Sequence, residues 1–183
     1  MKLVIVSGPE ATCKTTIGKY IAGELGFEYL SKDSIKEAMY NTDDHNTWDF
    51  NWYESRAKNK FFEELKALVS DNKDIVIESN FMGSDKDKLR VITNSQTEIF
   101  EIHCNSNGLK SFQRFIRRNE NKERHPGHHD RRWYLKVFYE SIMHNMGINI
   151  KAHRTTGLTS KILQVNTSNF GDINYKSIIN FIS

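Results

Sequence analysis

Proline and cysteine are scarce in this chain: Pro9 and Pro126 are the two prolines, and Cys13 and Cys104 the two cysteines, among 183 residues. Two cysteines so far apart provide no disulfide framework of the kind on which small secreted domains depend. Without proline-rich, low-complexity or repeated tracts, the sequence offers no linker at which to divide it. Long apolar runs are also missing. The longest, such as residues 3–6 and 75–77, fall far short of the roughly 20 residues that cross a bilayer. Lys2 is followed by four apolar residues before Ser7-Gly8, which does not match a signal peptide, so a cytoplasmic location is expected. A large net charge is absent as well. With 26 Lys and Arg against 23 Asp and Glu, the balance is +3, too small for a general nucleic-acid coat.

What is present suits an ordinary globular protein. Apolar residues make up 38% and aromatics 11%, and a chain of this length can bury about 70% of its unfolded surface in one core. One domain over residues 1–183 is expected. Short apolar stretches at 3–6, 27–30, 75–77, 98–103 and 162–165 read as strands. Between and after them lie amphipathic stretches at 14–25, 34–40, 51–70, 86–93, 109–119, 130–146 and 175–182, which read as helices. Such alternation predicts an α/β fold, a three-layer α/β/α sandwich around a five-stranded parallel sheet. Right-handed crossovers then bring every strand C-terminus to one edge, where ligands of open sheets bind.

The first such edge carries Gly8-Pro9-Glu10-Ala11-Thr12-Cys13-Lys14-Thr15, then Thr16 and a helix. This resembles the Walker A pattern, G-x-x-x-x-G-K-[ST], in its strand–loop–helix setting, and implies binding of ATP with Mg²⁺. Backbone N–H groups of such a loop converge on phosphates, and the helix dipole favours their charge. Lys14 is expected at the β- and γ-phosphates and the Thr15 hydroxyl at Mg²⁺. Cys13 departs from the pattern by replacing the second glycine. It puts a side chain where backbone ordinarily runs beside phosphate, and a thiol at a helix N-terminus can have a depressed pKa.

Two further strand ends bear acids: Ser31-Lys32-Asp33-Ser34 after the second strand, and Glu78-Ser79-Asn80 after the third. A basic stretch follows the fourth, with Arg114, Arg117, Arg118, Lys122, Arg124, Arg131 and Arg132 against only Glu120, Glu123 and Asp130. Together with the phosphate loop, these segments resemble the small P-loop kinases typified by chloramphenicol phosphotransferase, zeta toxin and the polynucleotide 5′-hydroxyl kinases. The resemblance implies that Asp33 is the base for an acceptor hydroxyl, although Asp also caps helices well. Glu78 stands where a Walker B-like acid acts on Mg²⁺ through water, or contacts the acceptor instead. The resemblance further implies an arginine-bearing lid over about residues 107–131. Guanidinium groups bind phosphate oxygens in pairs, and phosphate contact is expected in the order Arg124, Arg118, Arg114, Arg117. His125, His128 and His129 cluster in that lid, but no Cys or acid at ligand spacing completes a zinc site. Thr167 and Ser168, after the last strand, correspond to a loop that borders adenine in these relatives.

The function implied is an ATP-dependent kinase passing the γ-phosphoryl group to a hydroxyl of a small molecule or a nucleic-acid end. A nucleoside or nucleotide kinase is the nearest alternative, and Cys13 leaves open an ATP-binding regulatory module without catalysis. The aromatic, polar stretch at 46–53 is placed to bind an acceptor ring or to pack within a helix.

Overall fold

Leu3, Val4, Ile5 and Val6 have no exposed surface at all, the mark of a strand covered on both faces. The computed structural model describes residues 1–43, 49–81, 83–121, 123–128, 131–146 and 155–183. Its strands are β1 (Lys2–Ser7), β2 (Glu28–Ser31), β3 (Ile75–Glu78), β4 (Glu98–Asn105) and β5 (Ile162–Asn166). They form one parallel sheet in the order β2-β3-β1-β4-β5. Helices α1 (Lys14–Leu25), α2 (Lys32–Thr42), α3 (Phe50–Ser70), α4 (Asp85–Ile92), α5 (Gly108–Glu120), α6 (Arg131–Asn145) and α7 (Tyr175–Ile182) complete a three-layer α/β/α fold.

Side-chain alternation along the strands divides the interior in two. Leu3, Ile5, Ile75 and Ile77 pack on one face against Phe61 and Leu65 of α3 and Leu89 of α4. Val4, Val6, Val76 and Ile102 pack on the other against Ile17 and Ile21 of α1 and Ile178 and Ile182 of α7. At roughly 1.5–3 kcal/mol for each buried large apolar side chain, these layers fix the sheet edge that the loops decorate.

The expected elements all occur, with ends displaced by up to two residues. One displacement matters: α2 starts at Lys32, so Asp33 lies inside its first turn and Ser31 takes the cap position. Two 3₁₀ turns, Pro126–His128 and Phe170–Asp172, were not foreseen, because a single turn has no periodicity to read.

One polar feature interrupts the apolar interior. Glu101 of β4 has no exposed surface, yet its carboxylate is fully engaged. It accepts from Ser7 Oγ at 2.6 Å, from Thr156 Oγ1 at 2.6 Å and from the Thr156 backbone N–H at 2.9 and 3.0 Å. His103 Nδ1 lies 2.8 Å from the same Ser7 hydroxyl. A buried charge is tolerable only when its lone pairs are satisfied in this way.

Candidate active site

The loop between β1 and α1 is shaped by close backbone approach. Gly8 has φ +135°, and a Cβ built there would sit 2.1 Å from the Cys104 carbonyl oxygen of β4. No other residue fits that position. Ala11 at φ 56° and Cys13 at φ 65° also occupy the left-handed region, which strains residues other than glycine. Lys14 Nζ and Thr12 Oγ1 both donate to the Pro9 carbonyl, at 2.6 and 2.8 Å. Loop residues Glu10 to Thr16 line a groove of about 910 Å³, with Arg114, Arg117 and Arg118 of α5 on its opposite wall.

The Cys13 thiol points toward that wall, with Arg114 Nη1 3.9 Å from its sulfur. Burial pushes the thiol pKa up, and Arg114, Thr167 and Lys14 draw it only partly back. The depression expected of a thiol at a helix N-terminus is therefore reversed by desolvation.

Beside the loop, Glu78 collects hydroxyl donors. Thr15 Oγ1 lies 3.1 and 3.2 Å from its two oxygens, Tyr29 Oη 2.7 Å and Ser31 Oγ 3.2 Å away. Burial, with Glu78 at its side, pushes the Tyr29 phenol upward, so it remains a donor. A hydroxyl and a carboxylate in contact are hard oxygen donors, which fit Mg²⁺ when water and nucleotide phosphates complete the shell. Among the described residues no group of three or more His, Cys, Asp or Glu could form an all-protein cage.

Asp33, in the first turn of α2, faces the same point. Crowding by the cleft walls raises its pKa, but Lys32, His128, Lys14 and Lys36 outweigh that and hold the carboxyl below its usual range. Asp33 is itself exposed in the cleft, so solvent screens part of this pull. The 3₁₀ turn Pro126–His128 is docked on α2: His125 Nε2 is 3.1 Å from Asn41 Oδ1, and His128 Nε2 is 3.1 Å from Glu37 Oε1. That hydrogen bond from His128 is the main reason the Glu37 pKa is lowered. These two histidines are thus engaged with α2, and His129 lies outside the described residues.

The remaining expected contacts divide. Arg114 Nη2 donates to the Ser168 carbonyl at 2.7 Å, and its guanidinium lies 4.1 Å from the Phe170 ring centroid. Arg124 stacks over Phe115 at 4.7 Å. Thr167 is fully buried, with its N–H and hydroxyl bonded to the Asn105 carbonyl at 2.7 and 2.9 Å, while Ser168 Oγ accepts from the Asn107 N–H at 2.9 Å. Phe170 is the residue of that segment that lines the groove.

A second cavity of about 360 Å³ opens between α2, α3 and the end of β3. It shares Glu10, Lys14, Asp33, Glu78, Arg124 and His128 with the groove, so the two spaces meet at one wall. Three of its residues carried no expectation from sequence. Lys36 is fully buried, 3.0 Å from Glu54 Oε2 and 3.4 Å above the Phe50 ring, and Lys32 pairs with the other oxygen of Glu54. The legible trace was the i,i+4 spacing of two lysines on the face that carries Ile35 and Met39. Within the aromatic stretch at 46–53, residues 46–48 lie outside the described residues. Asp49 caps α3 by accepting from the Trp52 N–H at 2.9 Å, Tyr53 is buried, Trp52 is half-exposed and Phe50 lines the second cavity.

No protein-family model and no curated protein matches the chain. Solved structures do. A provisionally assigned kinase from Chloroflexus aurantiacus superposes with a TM-score of 0.83 at 24% identity, over 99% of this chain and 96% of that one. A shikimate kinase from Bacteroides thetaiotaomicron gives 0.55 at 12% identity, over 97% and 94%. A chain of the Pnkp1/Rnl/Hen1 RNA repair complex gives 0.57 at 16% identity, over 87% of this chain and 50% of that one. At these identities the likeness is one of fold, a P-loop kinase-like α/β sandwich.

Proposed function

We propose that this protein is an ATP-dependent kinase that transfers the γ-phosphoryl group to a hydroxyl. The observation that carries the reading is the shared wall: a groove along the phosphate loop and a separate cavity meet at Lys14, Asp33, Glu78 and Arg124. Two substrates could lie end to end across that point, as in-line transfer requires.

Each residue has a role fitted to its place. The loop backbone and Lys14 cradle the phosphates, while Arg118 and Arg124 neutralise charge on the transferring group. Arg114, flanked by Phe170, offers a guanidinium face to the base. Asp33 accepts the acceptor's hydroxyl proton as that oxygen bonds to the γ-phosphorus. The bond from phosphorus to the β–γ bridging oxygen breaks, and ADP leaves with the electron pair. Its lowered pKa keeps Asp33 ionised and ready to act. Thr15 and Glu78 would hold Mg²⁺, which would supply charge that neutralises the phosphates. No described helix is long and apolar enough to cross a membrane.

The test is ADP release from ATP and Mg²⁺ with pooled nucleosides, sugars, antibiotics and 5′-hydroxyl oligonucleotides, with Lys14→Ala as control. A pool that accelerates release in the native protein alone supports the reading. Equal release by Lys14→Ala, or none with any pool, removes it. The strained Cys13 favours one other reading, an ATP-binding regulator without transfer, which predicts ATP binding in the absence of any acceptor effect.

A further inference from the structure

The smaller cavity is lined by charges that already answer one another. Lys32 and Lys36 of α2 reach Glu54 of α3, and Lys58 of α3 reaches Asp85 of α4. With Asp33, on the wall shared with the nucleotide groove, facing Lys32 and Lys36, the three ammonium groups of α2 and α3 stand against three carboxylates. An acidic or phosphorylated ligand would find Lys32, Lys36 and Lys58 already answered, and would meet Glu54 and Asp85 at close range. A hydroxyl suits each pair, because one O–H can accept from an ammonium and donate to the neighbouring carboxylate.

A second observation points the same way. Asn80 Nδ2 donates to Glu10 Oε1 at 2.6 Å, which fixes the amide orientation and turns Oδ1 the other way. That oxygen is buried and has no hydrogen-bond partner among the described residues. It calls for a donor, which a hydroxyl provides and an ionised acid group does not. Phe50, Phe61 and Phe81 supply an apolar wall for a ring's C–H face. The volume, about 360 Å³, lies at the lower end of the range for small-molecule sites.

We infer that this cavity binds a neutral polyhydroxyl compound of about monosaccharide size, held by the Lys–Glu54 and Lys58–Asp85 pairs and by Asn80 Oδ1. The inference rests on the kinase reading only in making the hydroxyl nearest Asp33 the phosphoryl acceptor; binding itself does not depend on it.

Saturation-transfer NMR and calorimetry on the full chain test it with three matched sets: neutral hexoses and inositols, the corresponding uronic acids, and their monophosphates. The expected result is binding in the neutral set alone. Glu54→Gln should weaken that binding about tenfold through loss of a charged hydrogen-bond acceptor. Glu54 lies outside the nucleotide groove, so ATP binding reports whether the variant is folded. Asp85→Asn provides a second variant, which should shift preference toward the uronic acids by leaving Lys58 in excess. Tighter binding of either anionic set by the native chain, or no binding in any set, overturns the inference. Polyol binding without ADP release leaves it standing and removes the kinase reading. ADP release with an anionic acceptor does the reverse.

Discussion

Changing Gly8 to alanine adds one methyl group at the point where the phosphate loop leaves the sheet. That methyl would lie 2.1 Å from the Cys104 carbonyl oxygen and 3.2 Å from Thr12 Oγ1, at φ +135°. Neither strand can yield cheaply, because β1 and β4 pair over six residues from Lys2–Glu98 to Ser7–His103. Disfavoured backbone costs about 1–3 kcal/mol, and forced overpacking about 1–3 more. A total of about 2–6 kcal/mol corresponds to a melting temperature lower by about 4–24 °C for a chain of this size. Gly23→Ala is the matched control. It lies in α1 with nothing within 4 Å of its added Cβ, so the same change there should stabilise by about 0.5–1 kcal/mol. Thermal unfolding by circular dichroism, with ATP titrated against each protein, reads both effects. Gly8→Ala should melt early and bind ATP weakly, while Gly23→Ala should melt late and bind normally. If both variants melt within about 1 °C of the native chain, the close approach of loop and strand is not the constraint described.

Asp33→Asn should lower turnover by about 10²–10⁴-fold while leaving ATP affinity near native. Because the native carboxyl titrates below its unfolded value, Asp33 contributes stability above the unfolded pKa and loses it as pH falls through the folded one. Urea midpoints measured from pH 6 to pH 3 should therefore fall further for the native chain than for Asp33→Asn, and parallel curves would refute this. Phe170→Ala removes the stack beneath Arg114 and should raise the ATP dissociation constant about two- to five-fold, from about 0.5–1 kcal/mol of cation–π energy, with kcat unchanged. Burial pushes the Cys104 thiol up to about 12 and also raises Cys13. Both should react slowly with a disulfide reagent at neutral pH and quickly in urea; a fast phase in the native protein would contradict that.

Much of the fold was legible because strands and helices carry different periods. The runs at 3–6 and 75–77 mark doubly covered strands, and every expected helix formed. The loop between β1 and α1 was legible for another reason: the Walker A pattern is a short fixed spacing, because cradling phosphates with backbone N–H groups would need one. The second cavity was not legible. Lys36, Glu54 and Asp85 come from three helices, and only the packing of α2, α3 and α4 brings them together. Buried lysine reads as surface in any one-dimensional pattern, since lysine is almost never fully buried unless paired. Thr167 shows the opposite failure. Its place after the last strand suggested a border for the base, whereas its hydroxyl turns inward to the Asn105 carbonyl.

The stretch of chain between β4 and β5 is moored to the sheet at two points, one of them the buried Glu101 cluster. At one end Asn107 caps α5 and its N–H is held by Ser168; at the other, Thr156 is clasped by Glu101 and, through Ser7, by the strand that launches the phosphate loop. The described residues of α5, the turn Pro126–His128 and α6 lie in the chain between those two points. Exchanging that segment would leave the two apolar layers on the sheet in place but would remodel the groove wall that Arg114 sets against Cys13. Asn107, Glu101 and Thr156 are the sockets that such an exchange would leave in place.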